Sequence, residues 1–310
     1  MARVSFDDLV RNLADPAQPL AVSKLTVLSN MAPGQTALFT DAWLAMDLRR
    51  RRRLIQELID LAEDNVELNF DRVFITALAD MDAGVRRDAI KGLWEHDGRD
   101  LAGQLIGLLQ RDPDAGVRAE AALALGRFVI QAEFETLPAD DIDRVEAALR
   151  RAVNNAAEAV EVRGRALEAI GARSEPWVRA LIDEAFAGTD RILRLSAVHA
   201  MGRSCDPAWL PALIQELRSD EAAIRFEAAV ACGSIADEAA TPYLLPLLND
   251  EDAEVQQAAI DALGEIGGDA AREALEGLVE RGDERLREAA LAALADVEFA
   301  QDPLGIRYRE

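Results

Sequence analysis

The residues of this chain best equipped for chemistry are two histidines and two cysteines, and their spacing does not assemble a reaction centre. His96 and His199 lie about 100 positions apart. Neither is followed by a glutamate, and Glu95-His96 is an isolated pair. A metal ion needs several such donors converging, so no metal site is expected. Cys205 and Cys232 form no Cys-x-x-Cys motif and no disulfide framework, which fits a reducing compartment. No phosphate-cradling Gly-Lys-Ser/Thr loop and no Gly-x-Gly-x-x-Gly turn occur. Carboxylates are spread so evenly that no pair stands out as acid and base. The expectation is a protein without catalysis and without a cofactor.

The charge narrows the partners. A formal net charge of −23 opposes the phosphate backbone, so nucleic acid is not expected as a partner. From position 235 to the end, 19 acidic residues face 6 arginines, a field that would attract basic partners. No stretch approaches the roughly 20 apolar residues of a membrane span. The beginning, Met1 to Asp8, carries no apolar signal core, so a cytoplasmic location is expected.

Comparing the chain with itself reveals the elements. The segment Gly84-Val-Arg-Arg-Asp-Ala-Ile-Lys-Gly-Leu-Trp94 returns as Gly116–Gly126, Glu161–Gly171, Ile192–Gly202, Ala223–Gly233, Glu254–Gly264 and Arg285–Ala295. Its leading aliphatic residue serves as a mark: Val85, Val117, Val162, Leu193, Ile224, Val255 and Leu286. The steps between marks are 32, 45, 31, 31, 31 and 31 residues, the periodicity of a repeat architecture. Each unit buries its apolar face by stacking on its neighbours.

Within a unit the apolar residues fall at the mark and four, five and eight beyond it, as in Val117, Ala121, Ala122 and Leu125. That is one face of a helix. An acid three before the mark is placed to cap the helix: Asp82, Asp114, Asp190, Glu221, Asp252 and Asp283. Gly126, Gly171, Gly202, Gly233 and Gly264 are expected to end it in a left-handed conformation. A second amphipathic run precedes each such helix, several beginning at a proline (Pro176, Pro207, Pro242). Pro211 and Pro246 sit a turn further in and should bend their helices.

The pattern Asp-x-x-Val-Arg-x-x-Ala-x-x-Ala-Leu-Gly at about 31 residues resembles the short HEAT repeat of the phycobilisome-lyase subclass. The resemblance covers roughly residues 80–298 and implies an all-α, right-handed α-solenoid of about eight or nine stacked helix pairs. The whole of 1–310 is expected to form one array. Residues 1–80 would be degenerate repeats, 81–298 regular ones with an insertion near 127–140, and 299–310 a tail. The resemblance also implies a ladder of turn acids and arginines: Asp82/Arg86, Asp114/Arg118, Asp190/Arg194, Glu221/Arg225 and Asp283/Arg287. Ala159 and Gln256 interrupt it.

Enzymes of this fold can be weighed against the residues. Iron-dependent deoxyhypusine hydroxylases need several His-Glu pairs, which this chain lacks. HEAT-like DNA glycosylases need a basic groove. Bilin lyases share the repeat subclass, and none of their functional residues can be matched here beyond the repeat. The expected function is therefore a scaffold or adaptor that binds a protein partner through its concave face, basic or partly apolar in character. A bilin-lyase-type accessory subunit or enzyme is the alternative.

Second helices line the concave surface of HEAT arrays. Positions two and six beyond the mark fall near 200° and 240°, away from the core, at about 100° per residue. They are Arg87/Lys91, Ala119/Leu123, Gly164/Glu168, Leu195/His199, Phe226/Val230, Gln257/Asp261 and Glu288/Ala292. Leu195, His199, Phe226 and Val230, with Arg87 and Lys91, are the expected contact residues. Two irregular stretches remain. Arg49–Arg53 is either a contact site for an acidic partner or a helix start whose arginines face solvent. The insertion, with Phe128, Val129, Ile130, Phe134 and Leu137, should extend a second helix and fold back.

Overall fold

The structure is a computed structural model that describes residues 5–15, 17–134 and 136–301; most of the expected tail lies outside them. Every regular element among the described residues is helical. The chain divides into two compact units, residues 1–131 with 137–165, and residues 132–136 with 166–310.

The first unit begins with α1 (Phe6–Ala14), a 3-10 turn at Val22–Leu28, and α2 (Pro33–Ala45). The pairs that follow are α3 (Leu48–Asp64), α4 (Asp71–Ala77) with α5 (Ala83–Gly92), and α6 (Arg99–Arg111) with α7 (Ala115–Glu133). Next come α8 (Ala139–Asn154) and α9 (Val160–Ile170), whose last residues belong to the second unit. That unit continues with α10 (Pro176–Ala187), α11 (Arg191–Ser204), α12 (Leu210–Glu216), α13 (Ala222–Ile235) and α14 (Thr241–Leu244). It closes with α15 (Ala253–Ile266), α16 (Gly268–Arg281) and α17 (Glu284–Gln301). Where Pro211 and Pro246 are expected to bend their helices, the runs are instead split into α and 3-10 segments, with 3-10 turns at Pro207–Trp209 and Leu245–Asn249.

The second helices carry the core. Val85, Val117, Val162 and Val255 are fully buried, as are Ala121, Ala122 and Leu125. Each Leu or Val so enclosed contributes roughly 2 kcal/mol of apolar burial. The expected caps form: Asp82 accepts from Val85 N at 3.1 Å, Asp114 from Val117 N at 3.0 Å and Asp283 from Leu286 N at 2.9 Å. Glu221 is the exception. Its carboxylate makes no cap bond and pairs instead with Arg191.

The glycines play another part than the one expected. Gly202, Gly233 and Gly264 lie inside their helices, and the left-handed residues come three positions later, at Cys205, Ala236 and Gly267. What the glycines provide is close approach. A Cβ on Gly202 would stand 2.8 Å from Ala231 Cα, and one on Gly171 would stand 2.8 Å from Ala200 Cα. The alanine seven beyond the next mark packs directly on the glycine, so neighbouring second helices touch backbone to backbone.

The arginine ladder also differs from the expected pairing. Arg86 donates through Nε and Nη2 to Asp112, at 2.7 Å each, and through Nη1 to Asp80 O at 2.8 Å. Arg225 holds Asp250 the same way, at 2.8 and 2.7 Å, and also Ser219 O. The partner acid therefore stands five residues before the following mark. The acid three before the mark caps the helix, and at Asp82 it takes an arginine from outside the repeat, Arg52, rather than Arg86. Glu158 replaces the missing acid for Arg118, while Gln256 keeps the carbonyl contact, to Asp250 O, and accepts from Arg285.

The arginine run belongs to the same framework. Arg51 lies 2.9 Å from Asp80, Arg52 pairs with Asp82 at 2.7 Å, and Arg50 donates to Gln18 O and Asn12 O. Arg50 and Arg51 thus join parts of the degenerate repeats, and Arg52 ties them to the first regular one. The insertion extends α7 as expected. Phe128, Val129 and Leu137 are buried, whereas Ile130 and Phe134 remain exposed.

Candidate functional site

The outward faces of the second helices present different surfaces in the two units. In the first unit Arg87 and Lys91 stand exposed on α5, as the stripe predicts. Lys91 borders a groove of about 550 Å³ lined by Gln56, Ile59 and Glu63 from α3, Asp88 and Lys91 from α5, Trp94 just beyond it, and Glu120 from α7. The Trp94 side chain is 56% exposed. Glu120 is half-buried, and that burial holds its carboxyl above the usual glutamate range. Asp88 pushes in the same direction, while Lys91, Arg165 and Arg87 pull the other way. Among the described residues, none of Glu63, Asp88 and Glu120 has a hydrogen-bond or ion-pair partner.

Trp94 and Glu120 lie outside the predicted stripe, although the sequence carries a signal for the tryptophan. Trp94 occupies the position nine beyond the mark, where the five following repeats have glycine. An indole cannot enter the backbone-to-backbone contact that glycine permits, so it stays in solvent. Burial of Glu120, by contrast, depends on how neighbouring helices approach.

In the second unit Val230 is 38% exposed, and Leu195 and Phe226 are half-buried. Phe226 is therefore partly uncovered rather than free. His199 is half-buried too, its Nδ1 3.0 Å from Glu227 Oε2 on the next second helix. Gly164 and Glu168, expected to point out, are both buried. Ser196 Oγ donates to Glu168 at 2.6 Å, since the tight approach that Gly171 allows brings α11 over this position. Acidic Asp261 and Glu288 are exposed at the far end of the stripe.

Two other clefts are internally satisfied. One of about 620 Å³ in the first unit has the bidentate Arg86–Asp112 pair among its lining. One of about 450 Å³ in the second contains Arg179 lying 4.4 Å over Trp209 and paired with Asp206 at 2.7 Å. Cys205 borders this cleft, while Cys232 is enclosed in the core, where burial pushes its thiol up to about 12. Among the described residues no cluster of three or more His, Cys, Asp or Glu side chains is arranged to hold a metal ion. No described helix is long and apolar enough to cross a membrane.

The fold has several solved counterparts. Yeast importin-β superposes with a TM-score of 0.54 at 16% identity, over 98% of this chain and 48% of that one. The CpcE–CpcF complex of phycocyanin lyase from Nostoc superposes with a TM-score of 0.51 at 18% identity, over 92% and 96%. Human deoxyhypusine hydroxylase aligns over 94% of this chain and 96% of its own, with 20% identity and a TM-score of 0.37. No curated protein matches the sequence. At these identities the likeness concerns the fold. The family model described as HEAT repeats matches residues 72–155 and 210–295, together more than half of the chain. With its stacked helix pairs and its internal arginine ladder, the chain belongs to the HEAT-repeat family.

Proposed function

We propose that this chain is a non-catalytic scaffold that holds a protein partner on the outward faces of its second helices. The observation that supports it most is apolar surface left open on or beside these helices: Val230 at 38% exposure, Leu195 and Phe226 half-covered, and Trp94, just past the end of α5, at 56%. Exposed aromatic and aliphatic side chains on a helical face are the usual anchors of a protein interface. The −23 charge supports a partner that is not nucleic acid, and two unpaired cysteines fit the cytoplasm.

The test is a photo-crosslinking amino acid placed at Lys91 or Val230, compared with Ala180 and Gln215 on the first helices. All four positions are exposed. Partner adducts are expected from the first two and not from the others. Adducts confined to Ala180 and Gln215 would overturn the reading. The alternative, a bilin-lyase type of activity, draws on the repeat subclass and on the fold shared with the phycocyanin lyase complex. Mixing the chain with bilin and an apo-phycobiliprotein tests it: a lasting change in bilin absorbance would favour that reading over the scaffold.

A further inference from the structure

The groove on the first unit has a composition that selects its occupant. Its lining brings three carboxylates, Glu63, Asp88 and Glu120, against one lysine. The same lining includes an aliphatic side chain, Ile59, and the open indole of Trp94. Four carboxylates at the turns before second helices of this unit are engaged. Asp80 takes Arg51 and the Trp43 indole N–H, Asp82 takes Arg52, Asp112 takes Arg86 and Glu158 takes Arg118. The three groove carboxylates have no such partner among the described residues, although Arg87, Lys91 and Arg165 lie near enough to stabilise the charge of Glu120. Half-burying an unpaired carboxylate costs stability. Unlike those four, Glu63, Asp88 and Glu120 face a groove of about 550 Å³ with room for a side chain from outside. An indole face attracts a guanidinium or ammonium group, most strongly where carboxylates flank it.

We propose that this groove takes a positively charged segment of a protein partner, with an arginine or lysine side chain lying over Trp94 and its charge against Glu120, Glu63 and Asp88. The proposal rests on the partner-binding reading above and gives that partner its chemistry on this unit. Ile59 offers an apolar contact for the stem of the same side chain. Lys91, at the groove edge, disfavours a second cation there and sets the spacing of basic residues in the segment.

The test uses the full chain and two fluorescein-labelled peptides, Gly-Leu-Arg-Leu-Arg-Leu-Gly and the same peptide with glutamate for arginine, followed by anisotropy. The arginine peptide should bind and the glutamate peptide should not. Trp94→Ala is expected to weaken binding about fivefold, the worth of one cation–π contact. Glu63→Gln with Glu120→Gln should weaken it about tenfold or more. A general attraction to an acidic protein is separated by Asp261→Asn with Glu288→Gln, which removes as many exposed charges from the second unit. That pair should leave the affinity unchanged. The proposal falls if the control pair weakens binding as much as the groove pair, if Trp94→Ala has no effect, or if the glutamate peptide binds equally. Trp94 is exposed and the glutamates make no internal bonds, so these variants keep their fold, which circular dichroism verifies. Loss of the peptide effect with adducts still forming at Lys91 and Val230 would overturn this proposal and leave the scaffold reading standing. Adducts on the first helices alone would do the reverse.

Discussion

Replacing Gly202 by alanine tests whether close helix approach organises the repeats. The new Cβ would stand 2.8 Å from Ala231 Cα and 2.9 Å from its Cβ. Carbon atoms rest at about 3.5–4.0 Å, so α11 and α13 must separate by roughly 0.7–1 Å. Overpacking of this kind costs about 1–3 kcal/mol. Alanine returns about 1 kcal/mol through its higher helix propensity, leaving a net loss of about 0–2 kcal/mol. Urea unfolding followed by circular dichroism reads the loss. Amide hydrogen exchange locates it, because a repeat protein spends such a defect at one interface. Protection should fall in α11 and α13 and remain in α3 and α5. Adding Ala231→Gly should recover part of the loss, since it removes one of the two contacts. Gly34→Ala is the control: nothing lies within 4 Å of its Cβ, so it should be neutral or stabilising. If Gly202→Ala is as stable as Gly34→Ala, the glycine serves something other than helix contact.

Three further outcomes follow from the charges and thiols. Arg225→Met strands Asp250 without its bidentate partner and should cost about 3–5 kcal/mol at neutral pH by urea unfolding. Arg225 holds the Asp250 carboxyl below its ordinary 3.8, so the pair stabilises above that value and is lost as pH falls through the lowered one. The cost of the substitution should accordingly shrink in that acid range. Glu120→Gln should raise stability at pH 7 by on the order of 0.5 kcal/mol, because burial disfavours the charged form. A raised carboxyl favours the fold most below its ordinary 4.5 and loses that advantage as pH rises, so the variant should match the parent in acid. A thiol reagent at pH 8 should label Cys205 in the native protein and Cys232 only on unfolding, since the latter is buried with its thiol pushed up to about 12. Native labelling of both at similar rates would refute that burial.

The sequence by itself determined the helix pairs and their core. Local periodicity dictates which face of a helix is apolar, so Val117, Ala121, Ala122 and Leu125 were legible as interior before any neighbour was placed. The caps were legible too, because Asp82 and Asp114 act within three residues of their own position. Which acid meets which arginine was decided by stacking: Arg86 reaches Asp112, 26 residues on, and a one-dimensional pattern pairs it with the nearer Asp82 instead. The glycines were misread for the same reason. A left-handed end is a local property, whereas contact with Ala231 exists only once two helices lie side by side. The stripe of Arg87, Lys91, Leu195, His199, Phe226 and Val230 was found from helical angle, but its degree of exposure was not. Neighbouring helices half-cover Phe226, bury Glu168 and leave Trp94 open. Exposure is a property of pairs of elements, and no single helix encodes it.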